Sequence, residues 1–343
     1  MRDPDEMRVR MRKYNVAVLG VSGAVGKMLL RVLEEKEFPI NDLRLLASSR
    51  SAGKKMHFRN KEYCVEETTQ DSFKDMDIVF GAVEGDIARR YMEYIIREGA
   101  IFIDNSSAYR LDKDVPLVIP QINGEDVLLH KGIISNPNCV TIITLMAVAP
   151  LHKEYKIKHM QVSSYQAVSG AGEYGIQELR EQVLDTTVLP KIFPYPIAFN
   201  VIPQIGEEDQ DDYTSEEMKL QREGSKILHA PIEVDCTCVR IPVYTSHSVS
   251  VYVEFEEIAD VDHVRDILAN AEGIQLEDDL GSKRYPMPIY TSDQDIVYVG
   301  RIRKSLRNNR SIVLFACGDQ LRKGAATNAV EIAEELIKRG IIE

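Results

Sequence analysis

The first third of the chain alternates between two spacings of apolar residues. Short apolar runs that end in Gly, Ser or Asp are typical of buried strands, and apolar residues three and four apart are typical of helices. The pattern predicts strand 15–19, helix 24–35, strand 43–47, strand 78–83, helix 85–98 and strand 101–104. This alternation indicates an α/β fold with a Rossmann-type doubly wound parallel sheet.

The pattern changes after about Met160, where longer segments alternate apolar and polar residues with a period of two. An example is the segment 248–255. This alternation is typical of strands with one covered face, so we expect a second α+β domain with an antiparallel or mixed sheet. Residues 323–338 return to helical spacing and predict an amphipathic helix that packs back on the first domain.

Length and charge narrow the possible functions. A chain of 343 residues with 44% apolar content can form two hydrophobic cores. Its net charge of -12 disfavours binding to nucleic acid or to an acidic membrane, because like charges repel. No uncharged apolar run reaches the roughly 18 residues of a membrane span. The basic N-terminal residues are not followed by the apolar stretch of a secretory signal, so we expect a solvated tail there. They are Arg2, Arg8, Arg10, Arg12 and Lys13.

The cysteines favour a reducing, cytoplasmic location. There are five of them, an odd number, and no signal peptide accompanies them, which argues against a disulfide framework. Cys236 and Cys238 fall two apart on a predicted strand and therefore share a face. No second pair of Cys or His accompanies them, so we expect no metal site.

A glycine-rich turn joins the first predicted strand to the first helix. Backbone N–H groups at a helix N-terminus can hold a pyrophosphate. The spacing is G-x-x-G-x-x-G rather than the commoner G-x-G-x-x-G, and such turns also occur without ligands. The residues expected to contact a dinucleotide are Gly20, Ser22, Gly23, Ala24, Val25 and Gly26.

The end of the next strand bears on the choice between NAD and NADP. NAD enzymes usually carry Asp or Glu there, which bonds the ribose 2'-hydroxyl. Here the strand leads into Ser48, Ser49, Arg50 and Ser51. Hydroxyls and a guanidinium suit a 2'-phosphate, so we expect NADP(H); the alternative is an ordinary polar loop.

A reactive cysteine is the main candidate for chemistry. Cys139 precedes a long apolar segment that predicts a buried helix. A helix N-terminus favours a thiolate, so we expect a lowered pKa of Cys139; Asn136 and Asn138 can cap the helix or donate to an oxyanion. The alternative is an ordinary buried thiol. His247, next to a predicted strand, would titrate near neutral pH and could deprotonate the thiol, or could be a hydrogen-bonded structural histidine.

Together these residues resemble one family, the bacterial-type aspartate-semialdehyde dehydrogenases. The resemblance covers nearly the whole chain. It rests on nine segments in order, 20–26, 104–110, 114–120, 135–139, 164–172, 198–203, 216–219, 240–243 and 318–326. It implies a cytoplasmic NADPH-dependent enzyme that reduces L-aspartyl 4-phosphate to L-aspartate 4-semialdehyde and releases inorganic phosphate, in the biosynthesis of lysine, methionine, threonine and isoleucine.

The same resemblance implies an organisation in two domains. The NADP-binding domain would comprise residues 1–138 plus 322–343, and a catalytic and dimerisation domain would comprise residues 139–321. A homodimer or homotetramer is implied as well.

The resemblance also implies roles for individual residues. Cys139 is the nucleophile that forms a thioester, and His247 is the acid/base. Gln166 orients the intermediate. Arg240 binds the substrate α-carboxylate, which its planar guanidinium matches in two bonds. Further cofactor contacts fall to Ser169, Gly170 and Gln320.

Binding of the rest of the substrate is implied at a second set of residues. Arg110, Asn138 and Lys219 would hold the transferable phosphate, and Glu217 would bind the substrate ammonium. Positions two apart on a regular helix do not share a face. Glu217 and Lys219 could therefore reach one pocket only from the first helical turn or from opposite walls. The departures from the family pattern are Tyr109, Val140 and Gln320, and none removes a reacting group.

Other functions remain open at this point. N-acetylglutamyl-phosphate reductase, glyceraldehyde-3-phosphate dehydrogenase and malonyl-CoA reductase share this architecture. An N-acetylated substrate has no ammonium for Glu217, and a CoA substrate needs no closed phosphate site. A catalytically silent nucleotide-binding protein is the alternative from another class, and the complete set of Cys139, Gln166, Arg240 and His247 argues against it.

Overall fold

The computed structural model describes residues 12–342. Of the basic residues in the proposed N-terminal tail, only Arg12 and Lys13 lie inside this range; the others fall outside the described residues. Within residues 12–342, no helix has the length and apolar composition needed to cross a bilayer.

The strands of the N-terminal part alternate with helices, as their hydrophobic pattern predicts. The strands are β1 (Tyr14–Leu19), β2 (Ile40–Ala47), β3 (Lys55–Phe58), β4 (Lys61–Cys64), β5 (Glu66–Glu67), β6 (Ile78–Gly81), β7 (Ile101–Asp104) and β8 (Ile133–Ser135). The helices between them are α1 (Ala24–Glu35), α2 (Gly85–Arg97) and α3 (Pro120–Asn123). The β3–β4 hairpin and β5, absent from the sequence prediction, are largely polar.

A parallel sheet organises these elements. Its strand order is β5–β2–β1–β6–β7–β8, and the fold class predicted from the sequence is confirmed. Val16 and Val18 face α1, while Ala17 and Leu19 belong to the core on the α2 side, because successive side chains of a strand point to opposite faces. The chain reverses its winding between β1 and β6, the position at which such sheets bind ligands.

The second part of the chain forms a mixed sheet. Its strands are β9 (Ile157–Gln166), β10 (Glu233–Arg240), β11 (His247–Phe255), β12 (Ile274–Leu276), β13 (Val297–Lys304) and β14 (Ser311–Gly318). Its helices are α4 (Cys139–Tyr155), α5 (Gly172–Leu184), α6 (Ser215–Ile227), α7 (Val261–Ala269) and α8 (Pro288–Thr291). The strand order is β10–β9–β11–β14–β13–β12, with β10 parallel and β11 antiparallel to β9.

Helix α4 is the centre of the second hydrophobic core. It is apolar on nearly all sides, because β11, β13, β14, α6 and α7 surround it. The opposite face of the sheet carries side chains that are only half-buried, among them Tyr165, Tyr252 and Phe315. This face is therefore the less covered side of the second domain.

The chain returns to the first core at its end, as predicted. A π-helical segment, Arg322–Ala326, leads into α9 (Thr327–Lys338). Side chains of α9 such as Val330 and Leu336 pack into the core beside α1. The domain boundaries at 138/139 and 321/322 stay a prediction.

Candidate active site

A cleft of about 920 Å³ follows the carboxyl ends of the first sheet. Ser48 and Glu67 line it beside β2 and β5, and Asn105 lines it beyond β7. Arg110 and Lys219 also line it, so the cleft joins the two parts of the chain. The proposed cofactor and phosphate sites therefore share one cavity.

The glycine turn has the shape that a pyrophosphate requires. Gly20 has φ +88°, and a Cβ there would lie 2.3 Å from the carbonyl oxygen of Ala82, so only glycine fits. A Cβ on Gly26 would lie 2.3 Å from the carbonyl oxygen of Gly20, which keeps α1 close to the turn. Gly23, by contrast, has no neighbour within 3.4 Å of its Cβ position, and no side chain caps the N–H groups of α1. This open helix end fits a dinucleotide phosphate.

The predicted cofactor residues divide into two groups. Those that line the cleft are Gly20, Ser22, Gly23, Ala24, Val25, Ser48, Ser49, Ser169 and Gly170. Gly26, Arg50, Ser51 and Gln320 are not among the lining residues. Gln320 lies behind Ser169, to whose Oγ its side-chain amide donates a hydrogen bond.

Two charged residues that line the cleft were not singled out by the sequence reasoning. They are Glu67 and Arg90. Glu67 ends β5, where it pairs with Ala47 at the end of β2. If β5 had been predicted from the sequence, Glu67 would have been recognised as a residue beside the end of β2. A strand of two residues is too short to show a hydrophobic pattern, however.

Three strand ends bring the predicted catalytic side chains together. Gln166 ends β9 and Arg240 ends β10, and the two residues are paired in register. His247 begins β11, the antiparallel neighbour of β9 on its other side. All three side chains are buried. The sheet register therefore places an amide, a guanidinium and an imidazole at one edge.

The peptide of Ala167 ties two of these side chains in place. Its carbonyl oxygen accepts a hydrogen bond from Arg240 Nη1 at 2.7 Å. Its N–H donates to His247 Nδ1 at 3.0 Å. Arg240 Nε and His247 Nε2 are buried without a partner among residues 12–342. Buried donors of this kind are normally satisfied, so they mark a place where a ligand can bind.

Burial controls the protonation of His247. It lowers the pKa of the imidazole to about 3, and the positive charge of Arg240 acts in the same direction. The expectation that His247 titrates near neutral pH is therefore wrong.

Cys139 begins α4, as the sequence predicts. Asn138 caps this helix: its Oδ1 accepts hydrogen bonds from the N–H groups of Val140 at 2.9 Å and Thr141 at 3.3 Å. The π-helical segment passes directly over the cysteine, since a Cβ on Gly324 would lie 3.0 Å from the Cβ of Cys139. Glycine permits this close approach.

The expected lowering of the Cys139 pKa is wrong. Although part of the residue remains exposed, burial of the thiol raises its pKa to about 12, and Glu216 adds to the rise. Three cations oppose this effect, namely Lys219, Arg110 and Arg240. The thiol is therefore protonated at neutral pH until the charges around it change.

Two buried carboxylates of α6 complete the cluster. Glu216 accepts hydrogen bonds from Asn138 Nδ2 at 3.0 Å and from Lys219 Nζ at 2.7 Å. Glu223 accepts hydrogen bonds from Arg110 Nη1 at 3.1 Å and from the Asn138 N–H at 2.8 Å. Sequence reasoning missed both, although positions 216, 219 and 223 share one helix face, a spacing that could have revealed them.

Glu217 lies outside this cluster. Its carboxylate accepts hydrogen bonds from the Thr214 N–H at 2.7 Å and the Cys238 N–H at 2.9 Å, which caps α6 and fixes it to β10. Glu216 is therefore the carboxylate of this adjacent pair that faces the cluster, and the role of Glu217 in binding the substrate ammonium stays a prediction. Lys219 faces Glu216 because the two are three residues apart on α6.

Proteins of known family resemble nearly the whole chain. Residues 15–130 match the family described as "Semialdehyde dehydrogenase, NAD binding domain", and residues 148–323 match "Semialdehyde dehydrogenase, dimerisation domain". The aspartate-semialdehyde dehydrogenase of Prochlorococcus marinus is 44% identical over 333 residues, covering 96% of this chain and 97% of that protein.

Solved structures show the same fold. Aspartate semialdehyde dehydrogenase II of Vibrio cholerae, complexed with ASA, has a TM-score of 0.92 at 38% identity and covers 95% of this chain and 99% of its own. The enzyme of Candida albicans with NADP has a TM-score of 0.76 at 25% identity, covering 96% of this chain and 100% of its own.

Proposed function

The chain belongs to the aspartate-semialdehyde dehydrogenase family, and from this premise we propose that it reduces L-aspartyl 4-phosphate to L-aspartate 4-semialdehyde. This reaction would serve the biosynthesis of lysine, methionine, threonine and isoleucine. The observation that carries the proposal is the position of Cys139 at the start of α4, within the charges of Arg110, Lys219, Arg240 and Glu216.

The first step forms a thioester on Cys139. The sulfur bonds to the acyl carbon while the carbon–oxygen bond to phosphate breaks, and phosphate leaves with that electron pair. Arg110, Asn138 and Lys219 line the cleft and supply fixed donors for the phosphate.

The second step releases the aldehyde. NADPH, when held in the cleft, would supply the hydride that reduces the thioester carbon. Gln166, buried at the end of β9, orients the thioester without titrating. Cys139 then leaves as the thiolate and takes up one proton from solvent.

The two charged ends of the substrate have matching groups. Arg240 binds the α-carboxylate, because its buried Nε has no partner among the described residues. Glu216 binds the ammonium in place of Lys219, which is then free to hold phosphate. An ammonium on Glu216 also cancels the negative charge that raises the Cys139 pKa, and so favours the thiolate when substrate is present.

The exchange of Cys139 for serine tests this function. We expect Cys139→Ser to lose at least about a thousandfold in phosphate-dependent oxidation of the semialdehyde, because an alcohol is a far weaker nucleophile at neutral pH. Production of NADPH measures the rate, and mass spectrometry detects the acyl adduct on wild-type Cys139. Cys64→Ser is the matched control, since Cys64 is exposed and is not one of the residues that line the cleft.

A near-parental rate for Cys139→Ser would contradict the thioester mechanism. Activity of the wild-type protein on N-acetylglutamyl phosphate or on an acyl-CoA, without activity on aspartyl phosphate, would contradict the substrate.

NADP(H) is the cofactor that we propose. The chain contains an NAD-binding domain, and the open N-terminus of α1 fits the phosphates. Ser48 and Ser49 line the cleft beside β2, where no carboxylate follows the strand. We expect kcat/KM to be at least about tenfold higher with NADPH than with NADH, from hydrogen bonds to the 2'-phosphate. Equal values in steady-state assays would contradict this preference.

The oligomer that we propose is a homodimer. Residues 148–323 match a dimerisation domain. Half-buried rings on the less covered face of the second sheet, with Tyr165 and Phe315 centroids 6.3 Å apart, supply an apolar surface for a second copy.

A further inference from the structure

The guanidinium of Arg110 is held by three separate parts of the chain. Its Nε donates to the carbonyl oxygen of Asn136 at 2.9 Å, and its Nη2 donates to the carbonyl oxygen of Asn105 at 2.7 Å. Its Nη1 donates to the carboxylate of Glu223 at 3.1 Å. A guanidinium has five N–H bonds. Within the described part of the chain, these contacts leave one N–H on each terminal nitrogen for a ligand of the cleft that Arg110 lines.

Glu223 is the one of these three acceptors that also contacts the helix of the nucleophile. Its second carboxylate oxygen accepts a hydrogen bond from the Asn138 N–H at 2.8 Å. Asn138 caps α4, which begins at Cys139. Glu223 is only 2% exposed and is not among the residues that line the cleft. A single buried carboxylate therefore ties the orientation of Arg110 to the start of α4.

Lys226, three residues further along α6, holds the backbone of the same segment. Its ammonium donates to the carbonyl oxygens of Arg110, Asp112 and Val115, at 2.8, 2.7 and 2.6 Å. Positions three apart share a helix face. One face of α6 thus fixes both the side chain and the backbone of Arg110, a residue that follows β7 of the first sheet.

The charge of Glu223 and its hydrogen bonds have opposite effects on an anion. The negative charge repels phosphate and competes with it for Arg110. The two hydrogen bonds hold Arg110 and Asn138 in place, and a displacement of about 1 Å at a reacting site can cost about 100-fold in rate. We expect the hydrogen bonds to have the larger effect, because two of the groups proposed to bind phosphate depend on them.

We propose that Glu223 is a positioning residue for the phosphate site, which it serves by fixing Arg110 and Asn138 relative to each other. This role rests on the proposed function, in which both residues bind the transferable phosphate. Glu223 acts through these two residues and makes no contact with the substrate itself.

Binding of inorganic phosphate to the full-length protein tests this role. Isothermal titration calorimetry measures Kd for phosphate in wild type and in Glu223→Gln. The Gln side chain has the same length, but its amide nitrogen cannot accept, so either Arg110 or the Asn138 N–H loses its acceptor. We expect Kd to rise about 10- to 100-fold, the value of one hydrogen bond to a charged group. Loss of a negative charge alone would tighten binding, so an unchanged or lower Kd would overturn the proposal.

A second variant keeps the charge and changes only the reach of the carboxylate. Glu223→Asp is one methylene shorter and cannot contact both Arg110 and the Asn138 N–H. We expect its Kd for phosphate to rise about tenfold from the lost hydrogen bond, and an unchanged Kd would overturn the proposal. Thermal unfolding shows which variants are folded, and this variant provides the test when Glu223→Gln is not.

Steady-state kinetics separate positioning from a general loss of structure. In phosphate-dependent oxidation of the semialdehyde, we expect Glu223→Gln to raise KM for phosphate and to leave KM for the semialdehyde unchanged. An equal rise of both values would overturn the proposal.

Glu178→Gln is the matched control. Glu178 is also a buried carboxylate that accepts from backbone N–H groups, those of Lys191 and Ile192 at 2.7 and 2.6 Å, but it does not line the cleft. The same rise of KM for phosphate in this variant would overturn the specific role of Glu223.

Calorimetry needs no turnover, which separates this role from the proposed function. A wild-type protein that binds phosphate and shows the expected losses, yet is inactive on aspartyl phosphate, would contradict the proposed function alone. A wild-type protein that binds no phosphate would overturn the positioning role.

Discussion

At the scale of single residues, Gln166, Arg240 and His247 lie at the ends of adjacent strands. These three residues and Cys139 were named from motifs. The protonation of Cys139 and His247 was misjudged. Their pKa values depend on burial and on charges from distant parts of the chain, which no local pattern shows.

The carboxylates of α6 show the same limit. Glu216 and Glu217 are adjacent and have the same side chain. They differ only in the face of α6 on which each side chain lies. The i,i+3 spacing to Lys219 was the available signal. This spacing supports the proposal that Glu216 binds the ammonium, because it places Glu216 and Lys219 on one face of α6.

Removal of the Glu216 charge tests the ammonium assignment. We expect Glu216→Gln to raise KM for the semialdehyde about 10- to 100-fold, the value of one hydrogen bond to a charged group. Alkylation of free Cys139 should become faster, because the carboxylate that raises its pKa is gone. Steady-state assays and iodoacetamide labelling measure these effects.

Glu217→Gln is the matched control, since Glu217 binds Thr214 and Cys238 instead. An equal rise of KM in this variant would contradict the assignment.

At the scale of elements, the spacing of apolar residues predicted those helices and strands that bury one face. Helix 24–35 was predicted with its observed bounds, and strand 43–47 begins three residues earlier in the structure, at Ile40. The π-helical segment could not be predicted. Its geometry is tied to the contact between Gly324 and Cys139, a packing feature of residues far apart in sequence.

The capping box of α6 gives a prediction at this scale. Thr214 Oγ1 accepts from the Glu217 N–H, and Glu217 accepts from the Thr214 N–H. We expect Thr214→Ala to lower the free energy of unfolding by about 1 kcal/mol. Denaturant titration measures the free energy of unfolding. Thr187→Ala is the control, because it removes a threonine side-chain hydrogen bond in an exposed turn. Equal stability of wild type and Thr214→Ala would show that the cap contributes nothing.

At the scale of the whole molecule, long-range ion pairs join the two parts of the chain. Arg322 contacts Glu35 on α1 and the carboxylates of Asp293 and Asp295 ahead of β13. In the sequence, Glu35 lies 287 residues from Arg322, and Asp293 and Asp295 lie 29 and 27 residues from it. No short segment of the sequence therefore contains all of these partners. The two parts of the chain are held together by contacts that only the fold reveals.

The proposed dimer is tested at the same scale. We expect wild type to sediment as a dimer, and Phe315→Glu to dissociate, because a charge would be buried at the apolar face. Analytical ultracentrifugation measures both. Leu129→Glu, on an exposed residue of the first domain, is the control. A monomeric wild type, or a dimeric Phe315→Glu, would place the interface elsewhere.

The ion pairs within the cleft have a consequence for inhibitors. Lys219 and Arg110 already have counter-ions in Glu216 and Glu223. A simple anion entering the cleft must compete with these carboxylates, whereas a zwitterion offers Glu216 a new cation as it takes Lys219. Selective inhibitors should therefore carry both an ammonium and a phosphonate. The ammonium replaces Lys219 as the partner of Glu216, and Lys219 can then pair with the phosphonate.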